Sequence, residues 1–297
     1  MRGDIFIDID HNGIGDRIQF SPIPEAFYKW YGKKLVDINK CWVFDYNPYV
    51  QRRDNHESDQ KLNFKGEGFA SIYCNELDWV NPEIKGLNHN YFADDQNNKL
   101  LIHNLYPSYK ETFLGSNRNT WFLLKLGIIP FQKPELDLPR GPRLYKYEEP
   151  NNVKKDQIAI HVGPSVNNPN ELIPDYVLNT IKERYSEYQI VQIGSKNDNE
   201  SPFIDKRGLP IWDSIKTIAE SSIFIGINSG PMNIANCFPH INKKLIILPH
   251  MNQQDLVHRF EPLNARIKFE FGWIDYGWQY YIAEERDIGR MYSYKRI

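Results

Sequence analysis

Residues 222–233 read SIFIGINSGPMN, an apolar run that passes directly into a serine, a glycine and a proline. The apolar run predicts a strand buried on both faces, as in a parallel sheet covered by helices. Pro231 fits the first turn of a helix, because its missing N–H leaves no hydrogen bond unmade there. The stretch therefore predicts a strand, a tight turn and a helix, which together form the unit of doubly wound α/β proteins.

The same alternation extends along the second half of the chain. Apolar runs predict further strands at 158–163, 189–194 and 244–248, and helical spacing predicts helices at 174–185 and 212–222. Strands that alternate with helices favour a doubly wound parallel sheet. Ligands of such sheets bind at the carboxyl ends of the strands, so the turn at 228–231 is expected to face a crevice.

The first half opens with another strand, glycine turn and helix. Residues 4–10 alternate like a strand, a turn follows at 11–15, and helical spacing covers 16–30, interrupted near its start by Pro22 and Pro24. Farther along, the patterns predict strands at 42–45 and 99–103, a short helix at 121–126 that ends at Gly127, and a C-terminal helix at 279–291. The opening unit predicts a second Rossmann-like domain.

The expected fold is therefore α/β, with two Rossmann-like domains whose glycine turns face each other across a cleft. The predicted parts are an N-terminal domain (1–140), a linker (141–156), a C-terminal domain (157–265) and a tail (266–297) that packs back toward the N-terminal domain. The linker boundary follows from a stretch rich in proline and charge that lacks periodicity.

Charge and composition limit the function classes. The 36 Lys and Arg nearly match the 38 Asp and Glu, and stable nucleic-acid binding is not expected without a basic excess. The 3 cysteines are dispersed, which disfavours a disulfide framework or a structural zinc site. The chain has no apolar run of the ~18–20 residues that cross a membrane, and its opening residues, MRGDIFIDID, differ from a signal peptide. We expect a cytoplasmic protein with at most peripheral membrane contact.

The first glycine turn carries a carboxylate. Gly13 and Gly15 let a ligand approach the backbone closely, and Asp16 follows at the start of the predicted helix. An aspartate there either caps the helix or acts as a general base. Ile18 replaces the third glycine of the dinucleotide fingerprint, which disfavours a nicotinamide-dependent dehydrogenase.

The second glycine turn suits an anion. The N–H groups of Ser229 and Gly230 and the serine hydroxyl lie where a strand passes into a helix, an arrangement that binds diphosphates. An ordinary strand–turn–helix junction explains the same residues equally well.

Three segments, in order, resemble glycosyltransferase family 9, the ADP-heptose:lipopolysaccharide heptosyltransferases and their relatives. GIGDRI at 13–18, followed by Ser21-Pro22, resembles the family's G-x-G-D loop with its Thr/Ser-Pro. HVGPS at 161–165 resembles the H-P-G-A-S turn. The stretch at 213–235, DSIKTIAESSIFIGINSGPMNIA, resembles the family's most distinctive segment, with its D/N-S-G-P-M/T-H-x-A turn.

The resemblance implies a GT-B fold and transfer of a sugar from a nucleotide diphosphate sugar to a hydroxyl, without a metal. It makes Asp16 the general base that deprotonates the acceptor, and it assigns the acceptor to the N-terminal domain and the donor to the C-terminal one. The implied donor-binding residues are Gly13, Gly15, His161, Ser165, Gly194, Ser195, Asn228, Ser229, Gly230, Pro231, Met232 and Asn233.

Departures from the family motif keep other functions open. Asn228 and Asn233 stand where the family often has Asp and His, and 166–171 contains no Lys or Arg where the family has a phosphate-contacting base. Arg17 and Lys196 are candidates to balance the diphosphate instead. The alternatives are a catalytically inactive nucleotide-sugar-binding module, or a glycosyltransferase that acts on a protein or a modified nucleobase.

The expected partners are small molecules. The donor is a nucleotide diphosphate sugar, a glycan or lipopolysaccharide-type acceptor is favoured, and no cofactor is expected. Asp8 and Asp10 match the DxD pattern of metal-dependent glycosyltransferases. We expect no metal there, because magnesium sites need convergent carboxylates and phosphate oxygens and family 9 does not call for one.

Overall fold

The structure of the protein is a computed structural model. It describes residues 5–9, 13–37, 40–52, 71–74, 91–94, 99–102, 123, 126–128, 132–139, 141–147, 150–163, 173, 175–227, 229–247, 279–282 and 291–293. These residues form a mixed α/β structure, and the chain divides into two units, Met1–Lys146 and Tyr147–Ile297.

The sheet of the first unit is half parallel and half antiparallel. Its elements are β1 (Ile5–Asp8), α1 (Ile14–Phe20), α2 (Ile23–Tyr31), β2 (Leu35–Asp37), β3 (Val50–Arg52), β4 (Ser71–Cys74), β5 (Tyr91–Asp94) and β6 (Lys99–Ile102). The strand order is β3-β2-β1-β4-β6-β5, parallel over the first three and antiparallel over the rest. The expectation of a wholly Rossmann-like first half is therefore wrong for β4–β6. The connection from β5 to β6 is too short for a crossover helix, so these strands pair antiparallel.

The opening strand and helix are confirmed, and the prolines act as predicted; residues 10–12 of the predicted turn lie outside the described residues. The helical region of 16–30 splits into α1 and α2, because Pro22 and Pro24 cannot donate backbone hydrogen bonds within a continuous helix. Helix α2 ends at Gly32, whose φ of 69° places it in the left-handed region that favours glycine. The apolar face of α2 is buried through Ile23, Ala26 and Phe27.

A carboxylate buried on α2 ties a later segment to this helix pair. The side chain of Glu25 is 3% exposed and lies 2.7 Å from Lys29 Nζ and 3.0 Å from Arg143 Nη1. The Tyr145 hydroxyl donates to the same carboxylate at 2.7 Å, and the Arg143 backbone N–H donates to Ser21 Oγ at 2.8 Å. Burial, aided by the Glu25 carboxylate, raises the pKa of Tyr145 well above its usual range, so the phenol remains a donor. The cluster fastens 143–145 to α1 and α2.

The second unit has the strand order of a dinucleotide-binding domain. Its elements are β7 (Lys154–His161), α3 (Asp175–Arg184), β8 (Gln189–Gln192), β9 (Ile204–Asp205), α4 (Ile211–Ala219), β10 (Ser221–Gly226), α5 (Gly230–Asn236), β11 (Asn242–Ile247), β12 (Gln279–Ile282) and β13 (Met291–Ser293). The order is β13-β12-β11-β10-β7-β8-β9. In this order, the six strands from β12 to β9 all run parallel. Numbered from β7, the parallel strands read 3-2-1-4-5-6, which confirms the predicted doubly wound sheet.

The core of the second unit explains why its strands are readable in the sequence. Ile158, Ala159 and Ile160 of β7 are each 0% exposed, so both faces of this strand are covered. One face packs in a cluster with Leu178 and Ile181 of α3. Strands covered on both faces favour apolar runs, and consecutive buried residues also occur in β8, β10 and β11.

Two sequence-based assignments are wrong. Residues 42–44 form a 3₁₀ turn instead of a strand, because Val43 and Phe44 are buried. The rings of Phe44 and Phe20 pack edge-on, with their centroids 6.4 Å apart. The predicted helix at 279–291 is replaced at its start by β12, which pairs with β11. Gly127, with φ of 69°, marks the predicted end of the short helix; most of 121–126 lies outside the described residues.

Lys243 of β11 is 0% exposed, an unusual location for a charged side chain. Its Nζ donates to the carbonyl oxygens of Phe238 at 2.9 Å and Ile241 at 3.0 Å, just beyond α5. Burial lowers the pKa of this amine to about 8.

We expect Lys243 to make folding stability rise with pH between about 8 and 9. In that window the unfolded chain, with its ordinary lysine pKa of 10.5, binds more protons than the folded chain. The gain is about 1 kcal/mol from pH 7.5 to 9. Above pH 9, Cys237 opposes the trend, because burial raises the pKa of its thiol in the folded state. Urea unfolding of wild type and Lys243→Met across this window measures the effect.

The matched control is Lys216→Met, at an exposed position. The contribution of Lys243 is contradicted if Lys243→Met and Lys216→Met show the same rise in stability with pH.

Among the residues described, no helix has the length and hydropathy to cross a bilayer.

Candidate functional site

The second sheet changes winding direction between β7 and β10, and this point positions the site. The two strands are neighbours, with β8 beyond β7 on one side and β11 beyond β10 on the other. His161 ends β7 and pairs with Gly226, which ends β10. Open α/β sheets bind ligands outside the carboxyl ends of their strands at such a switch point. Residues that follow β7, β8 and β10 are therefore the candidates for ligand binding in this unit.

A serine, a histidine and an aspartate from these three strand ends form one array, named here the switch-point array (Ser229, His161 and Asp198). Ser229 Oγ lies 3.0 Å from His161 Nδ1, and His161 Nε2 lies 3.3 Å from Asp198 Oδ2. The same carboxylate oxygen accepts the Ser195 backbone N–H at 2.8 Å. The side chains of His161 and Asp198 are 6% and 7% exposed, whereas Ser229 is half-buried. The array thus runs from the interior to a hydroxyl that a ligand can reach.

Two glycines make room for the aspartate. A Cβ at Gly194 or Gly163 would overlap the carboxylate of Asp198. Gly194 also has φ of 142°, a conformation that side chains rarely adopt. Each glycine lies two residues beyond the end of a strand, so the sequence around the strand ends is adapted to bring Asp198 against His161.

The loop that carries Asp198 is held by ion pairs. Arg207 Nε lies 2.8 Å from Asp205 Oδ1, its Nη2 lies 3.2 Å from Glu200, and its guanidinium also donates to the Asp198 carbonyl. Hydrogen bonds from Arg207 lower the pKa of Asp205 below its usual range. The aliphatic part of the Lys196 side chain packs against Gly208. Its predicted function as a cation that balances the diphosphate stays a prediction.

Asp16 lies in the first unit, in the first turn of α1. The N-cap is Gly13, which makes no side-chain capping bond, and Asp16 is the third helical residue. The carboxylate is half-buried and lies near the positive end of the helix dipole. Its assignment as a general base stays a prediction, as does the assignment of Arg17, also half-buried in this turn, to the diphosphate.

The remaining predicted donor-binding residues divide into groups. Ser165 and Asn228 lie outside the described residues, as does Asp10 of the DxD pattern. Asn233 is buried and its Nδ2 donates to the Ser229 carbonyl at 3.1 Å, and Met232 is 0% exposed in the core. Gly15, Gly230 and Pro231 are half-buried, and Gly13 is exposed.

Asp198 is the residue that sequence reasoning missed. A faint signal exists, because it follows the Gly194-Ser195 turn by three residues, where its carboxylate accepts the Ser195 N–H. The sequence offers Asn197, Asn199 and Glu200 beside it and does not single it out.

Comparisons with known proteins find similarity in structure and none in sequence. No protein-family model matches the chain, and no curated protein sequence matches it. The glycosyltransferase family 9 protein from Veillonella parvula DSM 2008 matches at 13% identity with a TM-score of 0.48, over 80% of this chain and 78% of that one. Escherichia coli ADP-heptose lps heptosyltransferase II matches at 12% identity with a TM-score of 0.41, over 80% of this chain and 83% of that one.

A third similar structure is the iron-containing dodecameric glycosyltransferase TibC from enterotoxigenic E. coli H10407, with 16% identity and a TM-score of 0.49. The match covers 81% of this chain and 56% of TibC, which has also been solved with ADP-D-beta-D-heptose. Among the described residues of this chain, no group of three His, Cys, Asp or Glu side chains is arranged to hold a metal.

Proposed function

We propose that the protein is a glycosyltransferase that moves a sugar from a nucleotide diphosphate sugar to an acceptor hydroxyl without a metal. The observation that carries the proposal is the half-buried Ser229 hydroxyl at the switch point of a 3-2-1-4-5-6 sheet, in the segment that resembles family 9. A glycan or lipopolysaccharide-type hydroxyl is the favoured acceptor. In this proposal the two units face each other across a cleft.

The chemistry follows from the charges that change during transfer. The acceptor oxygen attacks the anomeric carbon as its proton passes to the Asp16 carboxylate, and the bond from that carbon to the diphosphate oxygen breaks. General base assistance of this kind supplies ~10²–10⁴-fold in rate. The leaving diphosphate gains negative charge, and preorganised donors at Ser229 and Gly230 stabilise that charge.

An inactive nucleotide-sugar-binding module is the second candidate, and a specific observation favours it. Asn233, at a position where the family often has His, uses its Nδ2 to donate to the carbonyl of Ser229, the N-cap of its helix. No Lys or Arg is present at 166–171. Measured turnover separates the two functions, since acceptor-dependent transfer that requires Asp16 excludes the inactive module. Transfer to a protein or a modified nucleobase would be revealed by the acceptor that supports turnover.

The proposal predicts that one class of nucleotide stabilises the protein. A thermal-shift panel of ADP, GDP, CDP and UDP sugars should single out one base, with a rise in Tm of several degrees. The physical reason is mass action, because a ligand at about 100 times its Kd adds about 2.7 kcal/mol to the native state. Ser229→Ala should remove much of the shift. A flat response to all four bases would contradict the proposal.

A further inference from the structure

The hydrogen atoms of the switch-point array decide whether the Ser229 hydroxyl can donate to a ligand. A diphosphate bound at Ser229 needs hydrogen-bond donors and positive charge, yet no basic residue is present at 166–171. Among the described residues, the ionisable group in direct contact with Ser229 Oγ is the imidazole of His161, at 3.0 Å.

Hydrogen-bond accounting assigns the neutral state of the array. The Asp198 carboxylate only accepts, so the neutral imidazole carries its hydrogen on Nε2, facing Asp198 at 3.3 Å. His161 Nδ1 is then an acceptor, and the single hydrogen of Ser229 is shared between Nδ1 at 3.0 Å and the Ile227 carbonyl at 3.2 Å. In this state the Ser229 hydroxyl has no hydrogen left for a phosphate and presents only lone pairs to it.

A second proton on His161 frees the hydrogen of the Ser229 hydroxyl. When His161 is doubly protonated, Nδ1–H donates to Ser229 Oγ and Nε2–H donates to Asp198, so both ring nitrogens are satisfied. The serine hydrogen is then released to a phosphate oxygen, and a positive charge lies one hydrogen bond behind it. The buried Asp198 carboxylate stabilises that charge, as a neighbouring opposite charge does.

We infer that His161 supplies positive charge to the diphosphate site, and that it takes up one proton from solvent when a diphosphate binds to Ser229. The inference rests on the proposed function. His161 acts on the ligand through Ser229 and is therefore a positioning residue. The proton goes to His161 Nδ1, and the hydrogen of Ser229 turns from Nδ1 toward the phosphate.

The charged surroundings of His161 support this assignment. Neither β10 nor α5 contains a charged residue, and the charged residues of β7 lie at its start, away from His161. On the loop after β8, Asp198 is the group in contact with the ring, and behind it Arg207 is paired with Asp205 and Glu200. Lys196 on this loop lies close enough to lower the pKa of Asp205. Among the residues that the structure describes, the charged group nearest to the imidazole is thus the Asp198 carboxylate.

Calorimetry of the full chain tests the inference. Inorganic pyrophosphate and ADP, GDP, CDP and UDP are titrated at pH 8, where ordinary histidine is neutral and the terminal phosphates of the four nucleoside diphosphates are already ionised. Protons are counted with the nucleoside diphosphates, because pyrophosphate keeps a proton of its own at this pH. Repeating each titration in buffers of different ionisation enthalpy gives the number of protons exchanged. We expect uptake of about one proton, and affinity that falls as pH rises above 7.

Three variants locate the proton. His161→Asn keeps a donor near the position of Nδ1 but has no titratable ring, so uptake should vanish and affinity at pH 7 should fall about 10-fold or more. Asp198→Asn removes the charge that stabilises the imidazolium, so uptake at pH 8 should also fall. His240→Gln is the control, because this histidine bonds to the Ala219 carbonyl at 2.8 Å, at the opposite end of β10, and uptake should persist.

The outcomes separate the two proposals. Proton uptake that disappears in His161→Asn and persists in His240→Gln supports the inference. Binding without proton uptake, or uptake unchanged in both His161→Asn and Asp198→Asn, overturns the inference and leaves the proposed function standing. Failure of all five probes to bind wild type overturns the proposed function, and the inference with it.

Discussion

Asp16→Asn is expected to lower the rate of sugar transfer by about 10²–10⁴-fold, the contribution that a positioned general base makes. Asparagine preserves the size of the side chain but cannot accept the acceptor proton. Donor binding should be nearly unchanged, because the hydrogen-bond donors proposed for the diphosphate, Ser229 and Gly230, lie on the second unit. The measurement is nucleoside diphosphate release with saturating donor and acceptor, and donor affinity is followed separately by calorimetry.

Two controls make the result specific to the base. Asp137→Asn changes an exposed carboxylate of the same unit and should transfer sugar at the wild-type rate. Asp16→Ala should match Asp16→Asn, since both lack a proton acceptor. Substantial transfer by both Asp16 variants would show that another group deprotonates the acceptor.

Glu25→Ala is expected to destabilise the first unit by about 2–3 kcal/mol. The change leaves the Tyr145 hydroxyl without its acceptor, which costs about 1–3 kcal/mol for a buried group. It also removes the carboxylate that pairs with Lys29 and Arg143. Lys29 keeps its hydrogen bond to the Asp137 carbonyl, and the two side chains, 27% and 43% exposed, retain part of their hydration. Removal of one partner from a fully buried pair costs about 3–5 kcal/mol, and this exposure lowers the expected value. Urea unfolding followed by tryptophan fluorescence measures the change.

Glu135→Ala is the matched control, because Glu135 is exposed in the same unit. Its effect should stay within about 0.5 kcal/mol, as for other surface changes. Glu25→Gln should fall between the two alanine variants, since the amide oxygen still accepts from Tyr145. Equal unfolding midpoints for Glu25→Ala and Glu135→Ala would mean that the cluster contributes nothing to stability.

The second sheet could be predicted because its signals are local. Strands such as β7 and β10 are buried on both faces, so each is a continuous apolar run that is readable without its partners. The break between α1 and α2 is equally local, since Pro22 and Pro24 impose it wherever they stand.

The errors of prediction arise where distant residues decide the structure. Val43 and Phe44 are apolar like a strand, but contact with Phe20 buries them in a 3₁₀ turn. The antiparallel half of the first sheet depends on the pairing of β4 with β1 and β6. No single stretch of sequence indicates that pairing. The start of the predicted C-terminal helix became β12, because a free edge of β11 was available to it.

Prediction of the candidate site also succeeds for residues in local motifs and fails where distant residues decide the structure. His161 and Ser229 were singled out from the sequence, because each lies in a motif at a strand end. Asp198 was not, because its place beside His161 depends on the absence of side chains at Gly163 and Gly194. Spacing along the chain does not reveal that fit, whereas the packed strand ends do.

The central claim is that the donor diphosphate binds at the switch point of the second sheet, against Ser229. A crystal structure with the stabilising nucleotide bound tests it most directly. We expect a diphosphate oxygen within hydrogen-bond distance of Ser229 Oγ, with the imidazole of His161 behind that hydroxyl and Asp198 behind the imidazole. A nucleotide bound elsewhere on the chain, with the carboxyl ends of β7 and β10 occupied only by solvent, would contradict the claim.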